Sequence, residues 1–242
     1  MTIILGHRGA AGTYPENTMI SFMQAEKLGA HGVELDVQMS KDKRVVVIHD
    51  ETIDRTTNGK GAVKDYTYEE LKKFDASYKF KDKTGSCSIP TLEEVLEWMQ
   101  SNDMVLNIEL KNDKIAYRGL EEEILTMVRK YEMEKRVILS SFNHFSMMKC
   151  HQLAPDIETA ILYKTGLHTP WAYAKKMGAR AIHPNYKYIS DATILQSMQN
   201  QVAVRPYTVN DEQKMLELTA LNISAIVTDF PEKAKRILDN RK

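Results

Sequence analysis

The sequence predicts an α/β fold, a (β/α)8 TIM barrel with a small insertion after the second strand. Three observations carry this expectation. Short apolar runs alternate with helix-sized amphipathic stretches along the chain, the pattern of a parallel sheet whose crossovers are helices. The chain has 242 residues, close to the length of one such barrel. Several apolar runs end in short polar clusters, and the carboxyl ends of barrel strands are where this fold keeps its chemistry. An open doubly wound sheet would alternate in the same way, but no Gly-x-Gly-x-x-Gly turn supports it.

Eight strands are expected at residues 2–5, 32–38, 104–110, 136–140, 158–163, 179–183, 202–207 and 224–228. Each is short and apolar, as strands buried on both faces are. Helices are expected between most of them, at 16–28, 115–131, 171–177, 192–199 and 212–221. Thr91 and Glu94 have capping-box spacing, and Asn143 and Ser190 stand where side chains cap helix starts. Asp229, just ahead of Pro231, is expected to cap the last helix. The interval 38–90 is too long for one crossover helix. It holds a further apolar run at 45–48, then His49-Asp50, a tight turn at Asn58-Gly59 and a short capped helix at 67–71. Residues 51–88 are read as an insertion on the catalytic face, too short to bury a core of its own. It belongs to a single domain spanning 1–242.

Lysine plus arginine (33) equals aspartate plus glutamate (33). That balance gives no electrostatic case for nucleic acid or for stable association with an anionic membrane. It leaves room for a local cationic site that takes a small anion. Cys87 and Cys150 offer neither metal-ligand spacing nor a disulfide framework, which suits the cytoplasm. Met1-Thr2 runs into the first strand without a basic region and long apolar stretch, so neither signal peptide nor transmembrane helix is expected. The oligomeric state stays open.

The candidate chemistry sits at strand ends. Glu34 and Asp36 are two apart on one strand and so share a face. Two unpaired carboxylates there would repel each other and lose their hydration. One divalent cation resolves both problems, and oxygen ligands suit Mg²⁺ or Ca²⁺; a salt-bridged polar edge is the alternative. Asn107, Glu109 and Lys111 share a face of a later strand. Glu109 can complete a three-carboxylate set while Lys111 offers a point charge to a phosphate oxygen, or the two form a simple ion pair. His7 and His49 each follow an apolar run and form a candidate proton-transfer pair. Arg8 adds a fork for phosphate oxygens.

The order His7-Arg8-Gly9, Pro15-Glu16-Asn17-Thr18, Glu34-Leu35-Asp36, His49-Asp50, Asn107-Ile108-Glu109-Leu110-Lys111 and Thr228-Asp229-Phe230-Pro231 resembles the glycerophosphodiester phosphodiesterase family. The likeness runs from the first strand to the last helix. It implies a metal-dependent barrel with an insertion after the second strand. The metal ligands would be Glu34, Asp36 and Glu109. The acid–base pair would be His7 and His49, with Arg8 and Lys111 near the phosphate. Glu16 would lie near the metal. Phe142 would contact the glycerol side of the pocket, or else belong to the core. His183 would line the pocket or buttress the mouth. Tyr207 stands where the family often has tryptophan and keeps an aromatic wall. The implied reaction is hydrolysis of glycerophosphodiesters, such as glycerophosphocholine and glycerophosphoethanolamine, to sn-glycerol 3-phosphate and an alcohol through a cyclic phosphate. Three rivals are weighed against it. A lysophospholipase D would show an apolar patch near the insertion. A silent binding barrel would lack a histidine or carboxylate, and none is missing. A metal-dependent lyase or isomerase fits the His7-Arg8 and His49 set less well.

Overall fold

The computed structural model describes residues 2–240. Met1, before the expected first strand, and Arg241 and Lys242, at the end of the expected domain, lie outside the described residues. The strands are β1 (Ile3–His7), β2 (Gly32–Met39), β3 (Val45–Val47), β4 (Val105–Leu110), β5 (Val137–Ser141), β6 (Glu158–Tyr163), β7 (Ala181–Pro184), β8 (Ala203–Val204) and β9 (Ala225–Thr228). Parallel pairing runs in the order β8-β7-β6-β5-β4-β2-β1-β9. Backbone bonds from Ser224 N to Val204 O (3.2 Å) and Val227 N to Pro206 O (3.1 Å) tie the two outer members together. The ring closes as a TIM barrel of eight parallel strands, as the sequence predicts.

The apolar run at 45–48 adds β3, an antiparallel strand paired to β2 with Met39 opposite Val45. Its turn is built by Ser40, whose backbone N donates to Arg44 O and whose Oγ accepts from Arg44 N, both at 2.9 Å. This hairpin carries the chain back up beside β2, where Ile48 N donates to Asp36 O at 3.0 Å. His49 thereby reaches the barrel mouth without a barrel strand of its own. β8 is shorter than the expected 202–207, since Pro206 has no N–H for the ladder. Tyr207 N still bonds Pro184 O at 3.0 Å.

Alternation sorts the side chains. Val33, Leu35, Val37, Leu106, Ile108 and Leu110 point outward into the main apolar core. There they meet α4 (Leu92–Met99) and α5 (Leu120–Lys130). Leu5, Ala225 and Val227 form part of the interior floor, which leaves Glu34, Asp36, Asn107 and Glu109 inside the barrel above it.

Helix starts follow their caps, and α2 (Tyr68–Leu71), α3 (Lys81–Thr84), α7 (Pro170–Lys176) and α9 (Glu212–Ala220) complete the series. Thr91 forms a full capping box with Glu94. Asn143 caps α6 (His144–Leu153) and Ser190 caps α8 (Asp191–Gln199). Helix α1 (Met19–Lys27) begins later than the expected residue 16 because Asn17 holds a left-handed φ of 56° and Thr18 is the cap. Helix α5 likewise starts at Leu120, not 115. The last helix, α10 (Pro231–Asp239), is preceded by Phe230 and has no side-chain cap. The expected capping role of Asp229 is therefore not made; its carboxylate is engaged inside the mouth. Residues 51–88 gather Ile53, Val63, Leu71 and Ala76 into a small apolar cluster that borrows Val46, Ile48 and Ile89 from their flanks. Among the described residues, no helix is long and apolar enough to cross a membrane.

Candidate active site

Strand register brings the three carboxylates together. Asp36 pairs with Glu109 and Glu34 with Asn107 across β2 and β4, so period-two alternation turns all of them inward. Glu34, Asp36 and Glu109 are buried, and one oxygen from each lies within 4.8 Å of the others. Arg8 N donates to Glu34 Oε2 at 2.9 Å, Arg8 Nε stands 3.2 Å from Asp36 Oδ2, and Asn17 Nδ2 donates to the same oxygen at 2.8 Å. Lys111 Nζ donates to Glu109 Oε1 at 2.8 Å and stands 3.9 Å from Asp36 Oδ1. The Glu109–Lys111 ion pair and the three-carboxylate cluster thus coexist.

The charges do not balance locally. Burial, reinforced by Asp36 and Glu109, pushes Glu34 well above the carboxylate range. Burial and Asp36 push Glu109 to about 7. For Asp36 burial acts the same way, but Arg8, His49 and Lys111 outweigh it and hold the group low. Asp36 Oδ1 and Asn107 Oδ1 are buried without a hydrogen-bond partner. An all-oxygen donor set with an orphaned carboxylate oxygen fits a hard divalent cation, which would also relieve the repulsion that raises Glu34 and Glu109.

Both histidines have a carboxylate on Nδ1. His7 Nδ1 meets Asp229 Oδ1 at 2.7 Å, and Asp229 Oδ2 accepts from Asn210 Nδ2 at 2.6 Å. His49 Nδ1 meets Asp50 Oδ1 at 2.6 Å. Such a partner places the ring proton on Nδ1 and leaves Nε2 for other work. His49 Nε2 lies 3.3 Å from Lys111 Nζ. Burial, with Arg8 and Lys111, lowers the His49 pKa against the pull of Asp36 and Asp50. Sequence reasoning passed over the bracing roles of Asp50 and Asp229. Asp50 adjoins His49 and could have been found; Asp229 meets His7 only because β9 closes against β1.

A cleft of about 180 Å³ opens above the cluster, lined by His7, Arg8, His49, Glu109, Lys111 and Phe142 among others. Arg8 holds a left-handed φ of 52°, a strain that persists only where surroundings over-determine it. Its backbone N on Glu34 and its guanidinium on Asp36 and Glu16 do so. Phe142 and Tyr207 also face the cleft, edge to face at 6.1 Å between ring centroids. Phe142 is therefore at the wall and not in the core. Lys164, which the sequence did not single out, stands 4.6 Å from the Phe142 ring centre. Four expected residues lie outside this wall: Glu34 and Asp36 in the cluster beneath it, Glu16 and His183. Glu16 joins Arg8 and Arg55 by ion pairs beside the mouth. His183 is buried below the cleft, beside a small void shared with Glu34 and Glu109. Burial and Arg205 push its pKa far down.

Comparison with known proteins gives this geometry a context. Residues 7–233 match the glycerophosphoryl diester phosphodiesterase family. The chain is 46% identical over 245 residues to a glycerophosphodiester phosphodiesterase of Bacillus altitudinis, covering 100% of both chains. It is 44% identical over 231 residues to one from Caldanaerobacter subterraneus, covering 96% of this chain and 95% of that one. A solved phosphodiesterase from Oleispira antarctica, in complex with the product sn-glycerol-3-phosphate, is similar with a TM-score of 0.87 and 28% identity. That likeness covers 99% of this chain and 97% of the other. With a match running from the histidine that ends β1 into α10, the chain belongs to the glycerophosphoryl diester phosphodiesterase family and is a phosphoric diester hydrolase.

Proposed function

We propose that the chain hydrolyses glycerophosphodiesters, such as glycerophosphocholine and glycerophosphoethanolamine, to sn-glycerol 3-phosphate and the free alcohol. The observation that carries this reading is a pair of carboxylate-braced imidazoles opening on one cleft with a buried three-carboxylate cluster. Glu34, Asp36 and Glu109 would hold one Mg²⁺ or Ca²⁺, which when bound supplies Lewis-acid stabilisation of phosphoryl charge and favours ionisation of a nearby hydroxyl. Arg8 and Lys111 face the phosphoryl oxygens and offset their charge. Phe142 and Tyr207 wall the glycerol carbons. One histidine takes the proton of the glycerol 2-hydroxyl as it attacks phosphorus, and the other protonates the departing alcohol oxygen. A water molecule then opens the cyclic phosphate with the two roles reversed.

The chain works as one domain over 1–242, with 51–88 on the catalytic face. Contacts from Arg55 to Glu16 and from Lys83 Nζ to Thr13 O (2.8 Å) support that placement. Its partner is the small-molecule substrate, without nucleic acid or a membrane. Two unpaired cysteines suit the cytoplasm. A second reading, lysophospholipase D, has one observation in its favour. A cavity of about 260 Å³ lies beyond Glu16 and Arg55, with Ala11, Pro15, Ala76, Tyr78 and Phe80 on its walls.

The test is release of glycerol 3-phosphate from both diesters by chelated protein with Mg²⁺ or Ca²⁺ restored. Metal-dependent release, lost in folded His7→Ala and Glu34→Ala proteins, is expected. Turnover of lysophospholipids but neither small diester would instead select the second reading.

A further inference from the structure

We infer that Arg55, an insertion residue outside the cleft, is a positioning residue that holds His49 and Arg8 in register through two carboxylates. The inference rests on the roles given to His49 and Arg8 above. Its guanidinium forks onto both carboxylates. Nε donates to Asp50 Oδ2 at 2.7 Å and Nη2 to Asp50 Oδ1 at 3.1 Å. On the other side Nη1 donates to Glu16 Oε2 at 2.7 Å and Nη2 to Glu16 Oε1 at 2.8 Å. Asp50 then meets His49 Nδ1 at 2.6 Å, and Glu16 accepts from Arg8 Nη1 at 2.7 Å. The result is an unbroken arc, His49–Asp50–Arg55–Glu16–Arg8, whose two ends line the cleft while its centre does not.

Stability is a poor account of this arrangement. The Arg55 side chain is 48% exposed, and exposed ion pairs contribute little to folding. What the double fork does supply is direction, since a planar guanidinium fixes a carboxylate in its own plane where an ammonium does not. Among the described residues and without Arg55, the only side-chain partner of Asp50 would be His49, and that of Glu16 would be Arg8. Each pair could then turn together, moving the imidazole and the guanidinium away from the phosphate. Small misplacements of this kind reduce turnover more than binding. The insertion is on this view part of the catalytic apparatus. Arg55 also borders the neighbouring cavity, so direct contact with a ligand there is the competing explanation.

Steady-state kinetics of the metal-loaded enzyme on glycerophosphoethanolamine separate these accounts. Arg55→Met should lower kcat by about 10- to 100-fold with KM changed less than about threefold, as lost positioning does. Arg55→Lys should recover only part of the loss, and millimolar guanidinium should raise kcat of Arg55→Met but not of the parent. Combined with Asp50→Asn, Arg55→Met should cost less than the product of the two single losses, because both release His49 and only the Glu16–Arg8 arm is lost anew. A kcat within twofold of the parent for Arg55→Met overturns the inference. So does a loss confined to KM, which signals ligand contact, or full additivity with Asp50→Asn. If Arg55→Met does not fold, Arg55→Lys decides alone, and parental kcat there overturns the double-fork role. Full activity of His49→Ala and Arg8→Ala would instead remove the reading of the site, whatever Arg55 does.

Discussion

The two histidines of the cleft carry the same chemical unit on different kinds of structure. His7 ends β1, and its carboxylate, Asp229, directly follows β9, 222 residues away. Asn210 braces that carboxylate and also accepts from Asp229 N at 3.0 Å and Thr228 Oγ1 at 3.1 Å. Every part of this assembly belongs to the closing seam of the barrel. His49 sits past the β3 hairpin, and its carboxylate is its sequence neighbour, held from outside by the half-exposed Arg55. One unit is fixed by closure of the scaffold and the other by a loop. Side chains anchored on a rigid scaffold are held more accurately than those on loops, so the His49 unit depends more on its outer support, the Arg55 ion pair from the insertion.

The largest expected effect treats the two alike. If each ring carries one proton transfer, His7→Ala and His49→Ala should each lower kcat/KM by about 10²- to 10⁴-fold. Rates on glycerophosphoethanolamine check this, and a histidine whose loss costs less than tenfold would be excluded from the proton relay.

The next effect divides them. In Asp229→Asn the Asn210 Nδ2 donor demands an amide oxygen opposite it, which turns the new NH₂ toward His7 Nδ1. The ring would then be forced to accept there, leaving its proton on Nε2, the wrong tautomer for a base. In Asp50→Asn the amide oxygen can keep facing His49, because Arg55 is at the surface and can turn away. Asp229→Asn should therefore lower kcat at least tenfold more than Asp50→Asn, since a tautomer reversal of this type can cost up to about 10⁴-fold. Equal losses would mean that the loop holds its carboxylate as firmly as the barrel does.

This same contrast explains what the sequence made legible. Glu34, Asp36 and Glu109 were readable because alternation along a strand decides which way a side chain faces, and parallel register then sets them side by side. His7 and Arg8 were readable as the end of an apolar run. His49 was readable as a mouth residue, although the route was a hairpin off β2, whose turn chemistry at Ser40 lies in polar residues resembling any loop. Asp229 was not readable in its role, since nothing local distinguishes an aspartate that caps α10 from one aimed at β1. Alternation likewise points His183 inward but says nothing of its depth, and depth is what separates it from the cleft. Glu16 and Phe142 entered through resemblance, and their partners, Arg55 for one and Tyr207 with Lys164 for the other, come from distant loops.

The smallest effect is on stability, and it sharpens the comparison from the acid side. Burial raises the Asp229 pKa, but His7 and Asn210 outweigh it and hold the carboxyl below its usual range. Burial acts likewise on Asp50, where Arg55 and His49 outweigh it. A carboxyl depressed in the folded state binds fewer protons there than in the unfolded chain. Its stabilisation is therefore complete above the ordinary pKa near ~3.9 and fades as pH falls below it. At neutral pH, Asp229→Asn should cost about 1–3 kcal/mol, the penalty of a disrupted charged hydrogen-bond set, and Asp50→Asn about 1 kcal/mol or less because its outer partner is solvated. Urea unfolding at neutral pH and near pH ~3 measures both, and each variant's deficit should shrink on acidification as the parent loses the same contribution. An Asp50→Asn deficit as large as that of Asp229→Asn would show that the Arg55 fork stabilises the insertion as well as aiming His49. The loop-built unit would then be as much a part of the scaffold as the seam.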